Sequence, residues 1–442
     1  MVHLGIIRTF ADNYTLHNMD SISIRKGLLA LSPLAVFLVF YLFLSLVAND
    51  FYSVPITVAF LAASLYAVAI VRGTTLEKRT TIFSEGASSP NLLMMIWIFI
   101  LAGAFASSAK AMGAIQSTVN LCLLLLPPQL LLAGLFLASC FISLSVGTSV
   151  GTIVALVPIA SGIAQGTDAS LPLVVGAVVG GALFGDNLSF ISDTTIVATR
   201  SQGCKQSDKF RTNLRIVLLP ALLVFLAYIF LGSRMSLMAQ SKPVDWVAVI
   251  PYLLVLLTAL RGLNVMLVLS LGLVTSGLVG IWRGSYDLFG WLTAMGNGIL
   301  GMSELIIVTL MAAGMVGVIR HLGGIDFLLQ RLSARISTRR GGELAIAALV
   351  VLTDLCTANN TIAILTVGPL AKEISQKYDI SPRRSACLLD TFSCFAQGIL
   401  PYGAQLLMAG GLALLNPIEI IPHLYYPMLM GLFALASIIR TR

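Results

Sequence analysis

The chain has 442 residues, 57% hydrophobic and 10% charged, with a formal charge of +8 and a mean hydropathy of +0.95. A soluble protein of this length needs far more surface charge, so the composition excludes that class and leaves a polytopic membrane protein. Its few basic groups lie mainly in loops, where they set membrane orientation and argue poorly for nucleic-acid binding.

Residues 1–27 are polar, carry Arg8, Arg25 and Lys26, and read as a cytoplasmic N-terminal segment. Leu28–Val47 is too long for a signal-peptide core and reads as the first span. Val54–Val71, Leu92–Ala109, Thr212–Leu231, Met302–Ile319 and Leu424–Ile439 also have bilayer length. Long apolar runs without strict alternation predict helices, not barrel strands. The cysteines form no CxxC pair and the histidines are scattered, so neither a disulfide framework nor a metal cage nor a cofactor is expected.

Along this apolar chain, polar residues concentrate at four places. The first is Ser143–Thr152, which contains Thr148, Ser149 and Thr152. The second is Gly185–Thr195, with Asp186, Asn187, Ser189, Asp193 and Thr194. The third is Asp354–Thr361, with Thr357, Asn359 and Asn360, and the fourth is Asp390 followed by Ser393 and Gln397. Polar groups in hydrocarbon are costly, which marks these segments as functional candidates.

The halves echo one another. Lys110-Ala111-Met112-Gly113 matches Arg320-His321-Leu322-Gly323, Pro158 matches Pro369, and Asp186-x-x-Ser189 matches Asp390-x-x-Ser393, with Asp193 falling on Gln397. Loop charge reverses between them. Basic residues collect in Arg72–Arg79 and Arg200–Arg215 of the first half, and in Arg320–Arg340 and Lys372–Arg384 of the second. The positive-inside rule then makes the repeats inverted, with residues 28–233 as the first, 234–244 as an external linker and 245–442 as the second. Because Gly342–Pro369 lies between two basic loops, it is expected to enter and leave by one face as a re-entrant hairpin; the alternative is one long tilted span. Gln129–Pro158 would be the mirror-image hairpin. The expected architecture is an all-α polytopic membrane protein of two inverted-topology repeats, each with about five transmembrane helices plus one re-entrant hairpin, with broken helices and both termini cytoplasmic.

Glycine before Asp186 and an Asp-Asn pair there predict a helix break, exposing carbonyl oxygens beside a carboxylate and hydroxyls. Such hard oxygen ligands suit Na⁺ or Li⁺, and Asp186 is the principal candidate. A buried carboxyl favours its neutral form while a bound cation favours the ionised one, so one group can hold either a proton or a sodium ion. Asp193, Asp390, Ser189, Thr194, Asn187, Asn359 and Asn360 are candidates for the same ion and proton chemistry, the hairpin tips complete the shell, and Ser393 with Gln397 supports the second break. The competing explanation is that Asp186 and Asp193 are helix caps near Arg200, and that Asn359 and Asn360 serve only a tight turn.

With Gly185-Asp186-Asn187-Leu188-Ser189-Phe190-Ile191-Ser192-Asp193-Thr194-Thr195 and the hydroxyl-rich Ser145–Thr152 segment, the chain resembles the NhaC-type Na⁺/H⁺ antiporter family. The resemblance implies a prokaryotic plasma membrane, alternating access of the elevator kind, and Na⁺/H⁺ exchange without an enzymatic reaction. The family commonly has lysine followed by leucine-serine-proline where this chain has Asn187 and Phe190, a departure that removes a positive charge beside the expected ion site. The group also includes proteins that exchange malate for lactate, so transport of a small carboxylate or amino acid coupled to Na⁺ or H⁺ is the alternative. The lipid bilayer, a monovalent cation and a proton are the expected partners, and the oligomeric state, a homodimer included, is left open.

Overall fold

The computed structural model describes residues 23–47, 55–190, 192–236, 243–261, 263–333 and 336–440. Most of the expected N-terminal segment and the middle of the expected linker therefore lie outside the described residues. The first half runs α1 (Ile24–Val47), α2 (Ile56–Ile70), α3 (Leu76–Gly86), α4 (Pro90–Ala111), α5 (Ala114–Leu125), α6 (Pro128–Val146), α7 (Ser149–Gly166), α8 (Leu171–Leu188), α9 (Asp193–Gln202) and α10 (Gln206–Gly232). The second runs α11 (Trp246–Leu260), α12 (Val265–Trp282), α13 (Leu288–Gly301), α14 (Ser303–His321), α15 (Gly324–Ser333), α16 (Arg339–Thr357), α17 (Asn360–Lys377), α18 (Pro382–Ile399), α19 (Ala404–Ala413), α20 (Pro417–Ile420), a 3₁₀ turn at Ile421–His423, and α21 (Tyr425–Ile439). Among the described residues, eight helical segments are long and apolar enough to cross a bilayer, or nine counting one pair bent by 101°. The protein is thus an all-α polytopic membrane protein with broken helices. Large apolar side chains such as Leu65, Leu226, Leu278 and Trp282 are exposed, as lipid-facing residues must be.

Two helical pairs are joined by two-residue tips and pack against each other. In α6/α7 the turn is made by Gly147 at φ 74°, where glycine avoids the left-handed penalty, and by extended Thr148. In α16/α17 Ala358 at φ 48° and extended Asn359 repeat that sequence of conformations. Helices α8 and α18 break after Leu188 and Ile399, and the chain resumes at Asp193 and Ala404. Gly147 and Ala358, Pro158 and Pro369, Ser170 and Ser381, Leu188 and Ile399, and Asp193 and Ala404 are all 211 residues apart. This constant spacing corrects the pairing read from the Asp-x-x-Ser motif. Asp186 corresponds to Gln397, and Asp193 to Ala404. Asp390 lies seven residues before Gln397, about two helical turns, and keeps the same face at a different depth.

Close helix packing positions the first break. A Cβ on Gly185 would meet Cys140 O, Leu144 N and Ser143 Cβ at 2.5 Å, and one on Gly181 would meet Phe136 O at 2.4 Å. Only glycine lets α8 approach α6 this closely. Ser139 Oγ then donates to Val178 O at 2.6 Å and Ser143 Oγ to Ala182 O at 2.5 Å. In lipid, where apolar burial drives helices together weakly, small residues and interhelical hydrogen bonds carry the association.

The halves also interlock. Helix α9 of the first half packs against α17 and α18 of the second, while α19 of the second packs against α7 of the first. A peripheral group joins α2 and α3 to α14, and α4 to α12 and α13. Outside the spans, Ser236 N–H and Oγ donate to Asp168 at 2.8 and 2.9 Å, tying the end of the first half to the α7–α8 loop and holding this carboxyl below its ordinary range.

Candidate functional site

The sequence Phe184-Gly185-Asp186-Asn187 ends α8 in the middle of the packed helices. Asp186 is 5% exposed. Its Oδ2 accepts from Ser149 Oγ at 2.6 Å and from Ser149 N–H at 3.3 Å, and its Oδ1 accepts from Ser192 Oγ at 2.6 Å. Ser149 opens α7, so the positive end of that helix faces the carboxylate. Thr194 Oγ1 lies 2.9 Å from Ser192 Oγ. Gln405 Nε2, from α19 of the other half, donates to Ser149 Oγ at 3.0 Å. Asp186 therefore sits where tip one, the first break and the second half's α19 meet.

A second cluster surrounds Asp390 on α18, which is fully buried. Lys209 from α10, 1% exposed, forms an ion pair with Asp390 Oδ2. Thr195 Oγ1 donates to the same oxygen at 3.1 Å, and Lys209 Nζ also donates to Thr195 Oγ1 at 2.9 Å and to the backbone carbonyl of Asn187. One turn further along α10, Asn213 Nδ2 donates to Asn187 O at 3.1 Å and to Asn187 Oδ1 at 2.5 Å, while Thr391 Oγ1 donates to Asn213 Oδ1 at 2.8 Å. By loop charge alone, 200–211 is a solvated basic loop; within it, Lys209 turns inward. The positive charge that Asn187 lacks is thus supplied from another helix, to the carbonyl of Asn187 itself. Asp390 has a cationic partner, so the two aspartates do not confront one another as bare like charges.

The remaining candidates have separable places. Asp193 is exposed at the first turn of α9. Ser189 Oγ donates to Leu144 O at 2.8 Å, fastening the break to α6. Thr152 Oγ1 donates to Thr148 O at 3.1 Å and Ser393 Oγ to Asp390 O at 3.0 Å, both within their own helices. At tip two, Asn359 Oδ1 caps α17 by accepting from Ile362 N–H at 3.0 Å; Asn360 Oδ1 accepts from Thr361 N–H at 3.0 Å; Thr357 Oγ1 donates to Asn359 O at 3.2 Å. Gln397 Nε2 donates to Ala358 O at 3.2 Å. Asp186 and its counterpart Gln397 thus each hold a hairpin tip, the first as acceptor and the second as donor. Asp354, one turn before tip two, is fully buried, and neither carboxylate oxygen has a side-chain partner.

Sequence reasoning missed Lys209, Asn213, Ser192 and Gln405. A signal existed for the first two: Lys209, Asn213, Ile216, Val217 and Pro220 form one buried stripe at helical spacing. Gln405 had none, because only the interlock of α19 with α7 brings it to Ser149.

A family model described as the Na⁺/H⁺ antiporter family matches residues 16–233 and 237–439. The Na⁺/H⁺ antiporter NhaC of Bacillus subtilis (strain 168) is 26% identical over 350 residues, 71% of this chain and 76% of that protein. The Na⁺/H⁺ antiporter NhaC of Alkalihalophilus pseudofirmus is 23% identical over 341 residues, 70% of this chain and 74% of that protein. A malate-2H⁺/Na⁺-lactate antiporter of Bacillus subtilis is 29% identical over 109 residues, 25% of this chain and 23% of that protein.

Proposed function

The chain belongs to the Na⁺/H⁺ antiporter family and is a secondary transporter, and on that premise we propose that it exchanges Na⁺ or Li⁺ for H⁺ through competition at Asp186. One observation carries this reading: the buried cluster of Asp186, Asp390 and Lys209 holds a single net negative charge when all three are ionised. One monovalent cation neutralises it, and so does one proton. Asp390 and Lys209 cancel each other, which leaves Asp186 as the group whose charge changes.

The groups around Asp186 suit both states. Ser149 and Ser192 donate to its oxygens now. Turning those hydroxyls presents oxygen lone pairs to a cation, with Thr194 Oγ1 adjacent to Ser192. The N-terminus of α7 favours the carboxylate and burial favours the neutral acid, so neither form is overwhelmingly preferred.

Alternating access is supported by the 211-residue spacing together with the reversal of loop charge between the halves. The two tips then approach the midplane from opposite faces, both termini are cytoplasmic, and the hairpins with α8/α9 and α18/α19 form the body that moves against the peripheral helices. A small carboxylate as co-substrate is the second reading, resting on the relative named for malate and lactate. It is disfavoured because the buried Lys209 that could clamp an anion is already paired with Asp390.

The test uses purified protein in sealed vesicles with an internal pH dye, offered Na⁺, Li⁺, K⁺ and small carboxylates in turn. Na⁺ or Li⁺ should alkalinise or acidify the lumen according to gradient, while a carboxylate alone does nothing. Asp186→Asn keeps the size and removes the titrating charge, so it should insert normally and abolish exchange. Normal exchange with normal pH dependence in that variant would remove Asp186 from the site.

A further inference from the structure

The two faces of α10 carry different chemistry. Lys209, Asn213, Ile216, Val217 and Pro220 are buried, the first two at the cluster around Asp390. On the other face Asp208, Arg211, Thr212 and Arg215, which follow one another at helical spacing, line a pocket of about 390 Å³. Arg339 at the start of α16 and Ser381, Arg383 and Arg384 at the start of α18 line the same pocket. Guanidinium groups from three distant stretches of sequence thus converge on one cavity. Its only carboxylates are Asp208 and Glu343, and five positive groups against two negative ones leave a net charge of +3.

One of the five arginines is committed: Arg384 donates to Glu343 Oε2 at 2.8 Å and to Ser437 Oγ at 2.9 Å. Among the described residues, no ion pair holds Arg211, Arg215, Arg339 or Arg383, and none engages Asp208. Membrane orientation does not require this arrangement, because the positive-inside rule counts basic residues in a loop and is indifferent to where they converge. Arg79, in another of the basic runs, is satisfied within its own loop by Thr74 O at 3.1 Å and Ala69 O at 3.4 Å. Four unpaired guanidinium groups around one cavity repel one another, and an anion between them relieves that repulsion. The starts of α16 and α18 add the positive ends of two helices. Ser381, at the head of α18, makes no capping bond, so its hydroxyl is available to donate.

We propose that this pocket binds a phosphate group, carried either by a soluble phosphate or by an anionic lipid headgroup. A guanidinium presents parallel N–H donors that match two phosphate oxygens at once, which a spherical halide cannot exploit. The cavity is many times the ~30 Å³ share of one water, so a phosphate with its substituent fits. By the reading of loop charge given above, this face is cytoplasmic, where both sources of phosphate are present. A phosphate held there ties together the heads of α10, α16 and α18, the helices that carry Lys209, tip two and Asp390. It lies across α10 from Lys209 and does not hold the transported cation, so the proposal stands whether or not Asp186 is the exchange site.

The test uses the full chain in detergent at constant ionic strength, so that general screening is the same throughout. Inorganic phosphate and mixed micelles containing phosphatidylglycerol are offered separately, with chloride as the reference, and melting temperature and binding are measured. At least one probe should raise the melting temperature above the chloride value. A response to inorganic phosphate identifies a soluble phosphate as sufficient, and a response to phosphatidylglycerol alone identifies the lipid headgroup. Arg211→Gln combined with Arg383→Gln should weaken that binding by more than about tenfold, as loss of two charge-assisted contacts implies. Lys205→Gln combined with Lys372→Gln removes the same charge from the basic loops but outside the pocket, and should leave binding within about twofold of the parent. All four positions are exposed, so none of these variants disturbs the packed interior. Absence of any stabilisation beyond chloride would overturn the proposal. So would an equal loss in the arginine and lysine double variants, which would make the face a diffuse basic surface instead of a site.

Discussion

Lys209 shows what one side chain contributes when charge is counted over a buried cluster. Asp390→Asn leaves Asp186 and Lys209, which sum to zero, so the cluster no longer attracts a cation. Sodium affinity should then drop by at least about tenfold, since even at ~12 Å one charge acts with about 1.4 kcal/mol at an effective dielectric of about 20. Lys209→Gln combined with Asp390→Asn restores the single negative charge, and binding should return towards the parent value. Isotopic sodium binding in detergent checks this, and a double variant as weak as Asp390→Asn would mean that Asp390 touches the ion directly. Stability should follow the same pattern, since removing one member of a buried pair costs about 3–5 kcal/mol and removing both costs less. The sequence disclosed Asp186 and Asp390 because a carboxylate in an apolar run stands out. It concealed Lys209 because a lysine among Arg200, Lys205, Arg211 and Arg215 looks like one more solvated charge, and only its place on the buried stripe of α10 distinguishes it.

At the scale of elements, the helix breaks were legible because glycine and an Asp-Asn pair compete with a continuous helix, whereas the register between the halves was not. The motif Asp-x-x-Ser occurs in both, but helix breaks are fixed by backbone geometry, and Gly147 and Ala358 share a conformation without sharing a residue. Matching side-chain types thus displaced the comparison by two helical turns. The approach of α8 to α6 gives the sharpest element-level test. Gly185→Val places atoms 2.5 Å from the α6 backbone, so α8 must shift. The expected cost is about 1–3 kcal/mol of stability, typical of an overpacked core. Because Asp186 is the next residue, its contact with Ser149 should loosen too, lowering sodium affinity as well as melting temperature. A variant with lower stability and unaltered sodium affinity would show that the break holds Asp186 without help from α6.

For the whole molecule, single-cysteine labelling in intact cells should place positions 115 and 165 outside, and 78, 207 and 378 inside. Position 378 labelled from outside would turn α16/α17 into a continuous crossing and remove the inverted arrangement. Positions 238 and 335, which belong to the same expectation, lie outside the described residues. Much of this architecture could be inferred from hydropathy and charge, yet the interlock of α9 and α19 could not, since nothing in either helix names its neighbour. That exchange of helices has a consequence during synthesis. The first half emerges first, with Lys209 and the Thr195 that faces Asp390 already in place, while Asp390 and Gln405 are still about two hundred residues from the ribosome's exit. Until they arrive, the ammonium group at the head of α10 lacks the carboxylate it pairs with in the folded protein, and α10 is expected to sit shallower in the bilayer, with that charge kept near water. Arrival of α18 lets that charge enter as a neutral pair. Insertion of α10 to its final depth is then expected to wait on a helix made nearly half a chain later, and a truncated first half should show Lys209 more accessible to an aqueous reagent than the full chain does.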